Sequence, residues 1–192
     1  MKRLIFLATV FLTFSFYAQN SYEKATLTFR NGEVIQGEAK RLLGDKRIKF
    51  KSADGEKEEY NYREVKELKI KKEGEILIYR YKIIVGQEPK LMKVVKEYKG
   101  IINLYVTEHS RTYEGIVSIT DNFGVYYLNK DDGINVVELG SSEMIYGKKI
   151  KKTAKKVFND CPKIIEMIES KEFKRTKDIE KIIDYYYDNY GK

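Results

Sequence analysis

The sequence predicts an α+β protein in which a predominantly antiparallel β region precedes a C-terminal helical segment. Apolar and polar residues alternate with a period of two through much of residues 24–139, and this pattern is typical of half-buried strands. From about Ser142 onwards the apolar residues instead recur with the period of a helix. The chain also contains 16 Tyr and 9 Phe but only 2 Pro, which favours a sheet-rich domain with few extended linkers.

Residues 1–18 predict a secretory signal peptide. Lys2 and Arg3 form a positive end, residues 4–17 carry no charge, and the small residue Ala18 follows. The apolar run is about fourteen residues long, whereas a membrane span needs about twenty. We therefore expect cleavage near Ala18 and an exported protein, located in the periplasm or outside the cell.

The position of the single cysteine narrows this expectation. Cys161 lies far from the apolar run, where lipid attachment would require a cysteine, so we do not expect a lipoprotein. One cysteine allows no internal disulfide, so an exported chain must rely on its core. We also expect no transmembrane segment in the mature chain, because Arg80 and Lys82 interrupt its most apolar later stretch.

Residues 19–73 predict an N-terminal β module of five short strands. Asn31-Gly32 lies between the alternating residues 25–29 and 34–40, and this dipeptide predicts a two-residue type I′ hairpin turn. Strands of this number and length fit a small SH3-like or Sm-like barrel, and they fit an open meander nearly as well.

Residues 74–140 predict a second β region that begins with a long strand. Leu77, Tyr79 and Tyr81 fall on one face of that strand. Four more strands are predicted at residues 91–98, 101–106, 123–129 and 134–139. Residues 107–122 have the weakest pattern, and we expect a mobile loop there.

Residues 141–192 predict three helices. The apolar residues of the first helix are Ile150, Ala154, Val157 and Phe158. The second is expected to begin near Cys161, with Asp160 as its N-cap and Pro162 in its first turn. The third carries an apolar stripe that includes Tyr186 and Tyr190 and leaves Tyr185 outside.

Three segments resemble a known group of proteins. TLTFRNGEVIQGEAK, KEYKGIINLYV and FNDCPKIIEMIESKEF…DIEKIIDYYYDNY are similar to elements that recur, in this order, in exported Bacteroidota proteins without an assigned function. The signal peptide ending in Ala-Gln is similar too. The resemblance covers most of the mature chain and implies a Gram-negative envelope and a β-then-helix architecture. It supplies no catalytic residue.

The sequence contains no catalytic signature. The only histidine, His109, stands beside Glu108 and Ser110, but adjacent residues point apart and cannot form a nucleophile–base pair. We expect His109 to be a solvated loop residue. One His and one Cys cannot form a typical zinc site by themselves. We therefore expect no metal, no cofactor and no enzymatic activity; the alternative is a small exported hydrolase with its site near the 107–122 loop.

A run of lysines is the leading candidate binding site. The net charge is +8, and it falls to +6 when Lys2 and Arg3 are removed with the signal peptide. Six lysines without an acid among them account for that remainder, and helical spacing places them opposite the apolar residues: Lys148, Lys149, Lys151, Lys152, Lys155 and Lys156.

Six neighbouring lysines repel one another, whereas a solvated helix face normally mixes charges of both signs. We therefore predict an exported, non-catalytic interaction protein whose basic helix face binds an anionic envelope surface or an acidic protein. An ordinary solvated face is the alternative. Nucleic acid is not an expected partner, because the protein is exported and the β region is nearly neutral.

Overall fold

The structure is a computed structural model that describes residues 22–40, 46–113, 119–142, 148–170, 172 and 178–191. The described strands are β1 (Glu23–Phe29), β2 (Val34–Lys40), β3 (Arg47–Ser52), β4 (Lys57–Asn61), β5 (Val65–Lys72), β6 (Glu75–Ile84), β7 (Lys90–Tyr98), β8 (Ile102–Tyr113), β9 (Ile119–Asn129) and β10 (Asn135–Ser141). The described helices are α1 (Lys148–Val157), α2 (Pro162–Glu169) and α3 (Asp178–Tyr190). The predicted α+β class is confirmed. The predicted signal peptide, residues 1–18, lies outside the described residues.

All the strands belong to one sheet with the order β10-β9-β8-β7-β6-β5-β1-β2-β3-β4. Neighbours in this order run antiparallel, but β10 also makes a short parallel pairing with β6, joining Asn135 to Ile83 and Val136 to Ile84. This pairing curls strands β6–β10 back on themselves. The two predicted β regions, 19–73 and 74–140, meet in the β5–β6 hairpin and share this sheet. A barrel in the N-terminal region is not confirmed, since the described pairings of β4 are with β3 alone.

The type I′ turn lies elsewhere than predicted. The β1–β2 connection spans four residues and has a positive φ at Gly32 but not at Asn31. Instead, the Asn31 side chain accepts a hydrogen bond from the Glu33 amide, 3.0 Å long. Between β5 and β6 only Glu73 and Gly74 intervene, and both have positive φ (51° and 89°). This two-residue connection has the backbone that a type I′ hairpin requires.

The first core lies beneath strands β1–β6. Alternate residues of these strands face inward, as the period-two pattern predicts. Tyr79 and Tyr81 of β6 join this core and extend it from the N-terminal strands into the second half of the sheet. Its buried members are Ala25, Leu27, Ala39, Ile48, Phe50, Val65, Leu68, Ile70, Tyr79 and Tyr81.

The second core lies between the three helices and one face of β8–β10. Sheet residues such as Leu104 and Leu128 are fully buried there against helix residues such as Ile164 and Ile183. Polar contacts at the edge of this core hold the helices in place. Asp184 of α3 accepts a hydrogen bond of 2.7 Å from Tyr98 of β7. The Tyr98 ring also stacks on the ring of Tyr187 of α3, with 3.8 Å between the two ring centres.

Two predicted details of the helices are wrong. Cys161, not Asp160, occupies the N-cap position of α2, and it makes no side-chain capping bond. Asp160 is engaged by Lys130 and Tyr186 instead. In α3, Tyr190 is 42% exposed, while Tyr185 packs against the core. The stripe therefore ends a turn earlier than the spacing predicts.

The lengths and compositions of the helices bear on whether the chain could cross a membrane. Among the described residues, no helix has both the length and the apolar character that crossing a bilayer requires.

Candidate functional site

The lysine segment forms helix α1, which packs against β10 and α2. Ala154 and, just beyond the helix, Phe158 are almost completely buried in the second core. Their burial fixes the rotation of the helix, because residues four apart lie on the same face. The opposite face therefore points away from the protein.

That opposite face carries lysines. Lys152, Lys155 and Lys156 are exposed and Lys151 is half-buried. Lys148 and Lys149 lie in the first turn of the helix, and their side chains lie outside the described ones. The structure thus brings the described lysines of the segment to one surface, which we call the lysine face.

One carboxylate lies beside the lysine face. Glu169, at the end of α2, forms an ion pair with Lys155 at an Nζ–Oε1 distance of 2.7 Å. The hydrogen bond and the charge of Lys155 lower the pKa of Glu169, with a smaller contribution from Lys151. In the described part of the chain, no ion pair is found for Lys152 or Lys156. Positive charge therefore exceeds negative charge on this surface.

The predicted mobile loop at 107–122 is wrong. Strand β8 continues to Tyr113 and β9 begins at Ile119, and the two pair in register along this length. Residues 114–118, which join them, lie outside the described residues. The hairpin forms because Thr107 and His109 lie opposite Val125 and Phe123, which are β-branched and aromatic pairs that stabilise antiparallel strands. The sequence pattern does not reveal these strands, because polar residues at the exposed positions weaken the alternation of apolar and polar residues.

His109 is half-buried on strand β8, so the predicted solvated loop position is wrong as well. Its Nε2 lies 2.8 Å from Thr107 Oγ1, and its ring stacks on Phe123 at a centroid distance of 5.4 Å. Burial and, secondarily, the charge of Lys90 lower the pKa of His109. The folded protein therefore favours the neutral imidazole.

Within the described residues, no carboxylate completes a catalytic triad around His109. The Thr107 hydroxyl is the polar group within hydrogen-bond distance of the ring, and it also lies 3.5 Å from the Tyr127 hydroxyl. Among the described contacts of His109, none is to a carboxylate that could orient the imidazole. Thr107 and His109 both lie on β8, two residues apart, so their contact joins neighbouring side chains on one face of that strand.

A buried polar cluster lies on the inner face of the curled strands β6–β10. Lys82 is only 5% exposed. Its Nζ donates a 2.7 Å hydrogen bond to the Gly133 carbonyl and lies 4.7 Å from the centre of the Tyr105 ring. Burial and then the nearby charge of Arg80 lower the pKa of Lys82. Cation–π and hydrogen-bond contacts thus replace part of the hydration that the ammonium loses.

Asn103 completes this cluster from strand β8. Its amide nitrogen donates to the Asp131 carbonyl at 3.0 Å and to Asp132 Oδ1 at 3.1 Å. Its Oδ1 is buried and has no hydrogen-bond partner among the described residues. The side-chain oxygens of these aspartates also bind within the protein, since Asp131 Oδ1 accepts a hydrogen bond from the Gly133 amide. Asp131, Asp132 and Gly133 lie in the connection between β9 and β10.

Arg80 forms ion pairs with two glutamates on the strands next to its own, Glu67 and Glu97. Its Nε donates a 2.8 Å hydrogen bond to Glu67 of β5, and its two terminal nitrogens bind Glu97 of β7. Burial lowers the pKa of Arg80, but both glutamates together raise it above the ordinary value. The sequence patterns above do not identify Lys82 as buried or Arg80 as half-buried. Their position in the sequence could have indicated this burial. Each lies within an apolar run, and such a run is typical of a strand that is covered on both faces.

Neither a metal centre nor a known relative adds to this description. Within the described ranges, no group of three or more His, Cys, Asp or Glu side chains is placed to hold a metal ion. Comparisons with protein-family models, with curated proteins and with solved structures each find no match.

Proposed function

We propose that this chain is an exported, non-catalytic interaction protein of the bacterial envelope, whose lysine face binds an anionic surface or an acidic protein. The observation that carries the proposal is the position of Lys152, Lys155 and Lys156. They are exposed on a helix whose opposite side is anchored by Ala154 and Phe158. Export rests on the charge and apolar pattern of residues 1–18.

The anchoring supports binding by a preformed surface. A lysine-rich helix that was free in solution would lose conformational entropy on binding, which would weaken the complex. Here the buried side of α1 already holds the helix in place. The lysine side chains are consequently presented together before the partner arrives.

The charge balance supports an anionic partner. Glu169 compensates Lys155, while the described surroundings supply no ion pair for Lys152 or Lys156. Like charges close together on a helix are unfavourable, and an anionic partner would relieve this repulsion. Each lysine near an anionic lipid surface contributes about 1 kcal/mol to binding.

The proposal is tested with vesicles that contain or lack anionic lipid. The variant is Lys152→Gln, Lys155→Gln and Lys156→Gln in one chain, which leaves Ala154 and Phe158 unchanged. At about 1 kcal/mol per lysine, we expect it to bind anionic vesicles about 100-fold more weakly. Neutral vesicles should bind neither protein.

A second triple variant controls for total charge. Lys57, Lys66 and Lys99 are exposed and lie outside α1, so their replacement by Gln removes the same charge from elsewhere. This control should bind nearly as the unaltered protein does. Equal loss in both variants would show an effect of net charge alone, and no loss in the first variant would refute the lysine face as a binding site.

A further inference from the structure

A second group of lysines surrounds a surface cavity on the outer face of the N-terminal strands. The cavity has a volume of about 510 Å³. It lies far along the sheet order from the strands that support α1, and the proposed function does not involve it. Its cationic lining residues come from three strands: Lys24, Lys51, Lys69 and Lys71.

The strand register arranges part of this lining in a row across the sheet. Lys71 of β5 pairs with Ile76 of β6. On the other side, Glu38 of β2 pairs with both Lys24 of β1 and Lys51 of β3. Because neighbouring strands are about 4.8 Å apart, a row across these five strands is about 19 Å long.

Lys24 and Lys71 are neighbours within this row. Ala25 pairs with Ile70, so the next position along the two antiparallel strands brings Lys24 opposite Lys71. Like charges directly opposite each other destabilise a sheet. Within the described residues neither of these two lysines has an ion pair, whereas Lys51 pairs with Glu38 at 3.4 Å. An anionic ligand would offset this repulsion.

The remaining lining residues suit a ligand rich in hydroxyl groups. Thr26 pairs with Gln36 and with Lys69 in the adjacent row, so a hydroxyl and an amide lie beside the ammonium groups. Ile76, at the end of the first row, is 64% exposed and offers an apolar surface that can contact the face of a sugar ring. The row contains three lysines and one carboxylate, Glu38, so its charge is positive on balance. With hydroxyl, amide and apolar groups beside it, this row is complementary to an acidic carbohydrate.

From this arrangement we propose that the cavity binds an acidic oligosaccharide, extended across strands β6, β5, β1, β2 and β3. Lys24 and Lys71 bind its anionic groups together. Thr26 and Gln36 form hydrogen bonds with its hydroxyl groups. Carboxylate and sulfate groups share the chemistry that these lysines recognise, so the experiment uses one ligand of each kind.

The experiment follows backbone amide signals of the isotope-labelled protein by NMR. Tetragalacturonate, a sulfated tetrasaccharide and neutral maltotetraose are titrated separately. We expect at least one acidic probe to shift the amide signals of Thr26 and Gln36, with the amides of α1 unchanged. The neutral probe should cause no comparable shift.

Three variants locate the binding. Replacing Lys24 and Lys71 together with Gln should weaken binding of the acidic probe about tenfold or more, the loss expected for two charge-assisted contacts. Replacing Lys99 and Lys163, which are exposed elsewhere, should have little effect. The Lys152, Lys155 and Lys156 triple variant should also retain binding, so this proposal and the proposed function fail or succeed separately.

The result must not come from unfolding. The substitution relieves the repulsion between Lys24 and Lys71 but also removes the cross-strand pair of Lys24 with Glu38. The double variant should therefore resist urea about as well as the unaltered protein. Absence of binding by any acidic probe would overturn the proposal. Unchanged affinity in this folded variant, or equal binding of maltotetraose, would do so as well.

Discussion

Lys155 of α1 and Glu169 of α2 form an ion pair across the two helices, with 2.7 Å between Nζ and Oε1. Glu169 is the carboxylate that the structure describes in contact with the lysine face. It therefore offsets part of the charge that we propose an anionic partner recognises. The proposal can therefore be tested by replacing Glu169 as well as by replacing the lysines.

Replacing Glu169 with Gln should strengthen binding to anionic vesicles, because it frees Lys155 and removes the neighbouring negative charge. We expect an increase of about fivefold, because one negative charge is removed beside the anionic surface. Vesicle co-sedimentation at low salt measures it. Glu166→Gln is the matched control, since Glu166 is exposed on the same helix but pairs with Lys163. Weaker binding by Glu169→Gln would argue against the lysine face.

Asp160 should stabilise the docking of the helices. It accepts hydrogen bonds from Lys130 and from Tyr186, the latter 2.7 Å long. Since its side chain is 47% exposed, we expect Asp160→Asn to lower the free energy of unfolding by only about 1 kcal/mol. Urea unfolding measures this, and Asp188→Asn on the exposed side of α3 is the control.

The effect of Asp160 should depend on pH. Burial raises its pKa, but the bonds from Lys130 and Tyr186 outweigh burial and hold the pKa below the ordinary value of 3.8. A lowered pKa contributes stability above the ordinary value, and this contribution disappears as the pH falls through the folded-state value. The difference between Asp160→Asn and the unaltered protein should therefore shrink at pH below about 4. A difference that grew in acid would contradict this assignment.

His109 should matter more for stability than a solvated residue would. Its replacement by Ala removes the contact with Thr107 and the stacking on Phe123, and we expect a loss of about 1–2 kcal/mol. Ser110→Ala, at the exposed neighbouring position, should change stability by less than about 0.5 kcal/mol. Chemical denaturation of both variants tests the comparison, and equal effects would place His109 back in solvent.

Protonation of His109 should also destabilise the hairpin. Burial and Lys90 lower its pKa below 6.5, so the folded protein favours the neutral ring. This contribution is present above the ordinary pKa and is lost as the pH falls through the lowered value. His109→Gln should consequently flatten the pH dependence of unfolding below about pH 6.5. An unchanged pH dependence would contradict the role of burial.

Cys161 should react with thiol reagents only when the protein opens. It is fully buried at the start of α2, and its thiol is free. We expect Cys161→Ser to cost about 1–3 kcal/mol, because a hydroxyl in this position loses its hydration. Labelling under native conditions, compared with labelling in urea, measures access; rapid native labelling would refute the burial.

Most strands could be predicted because alternation is a local property. Strand β2 has the bounds that the pattern at residues 34–40 indicates. The sequence predicts a type I′ turn at Asn31-Gly32, since that dipeptide tolerates positive φ well, whereas the protein has this turn at Glu73-Gly74. The tight β5–β6 connection imposes that conformation on Glu73. The residues that best tolerate positive φ therefore do not by themselves determine where the type I′ turn lies.

The site could be predicted only in part, for a similar reason. Helical spacing separates Ala154 from Lys152 without any knowledge of the rest of the protein. The long β8–β9 hairpin and the burial of Lys82 depend instead on pairing between distant segments, including the parallel contact of β10 with β6. Likewise, the row that contains Lys24 and Lys71 exists only because β5 returns to pair with β1.

The central claim is that the lysine face contacts an anionic surface, and amine footprinting of the unaltered protein tests it most directly. The protein is acetylated with and without anionic vesicles, and mass spectrometry follows each lysine. Lys152, Lys155 and Lys156 should be protected by the vesicles, and the protection should disappear at high salt, which screens exposed charges. Lys57, Lys66 and Lys99 should remain as reactive as in solution. Protection of these three without protection of the lysine face would contradict the account.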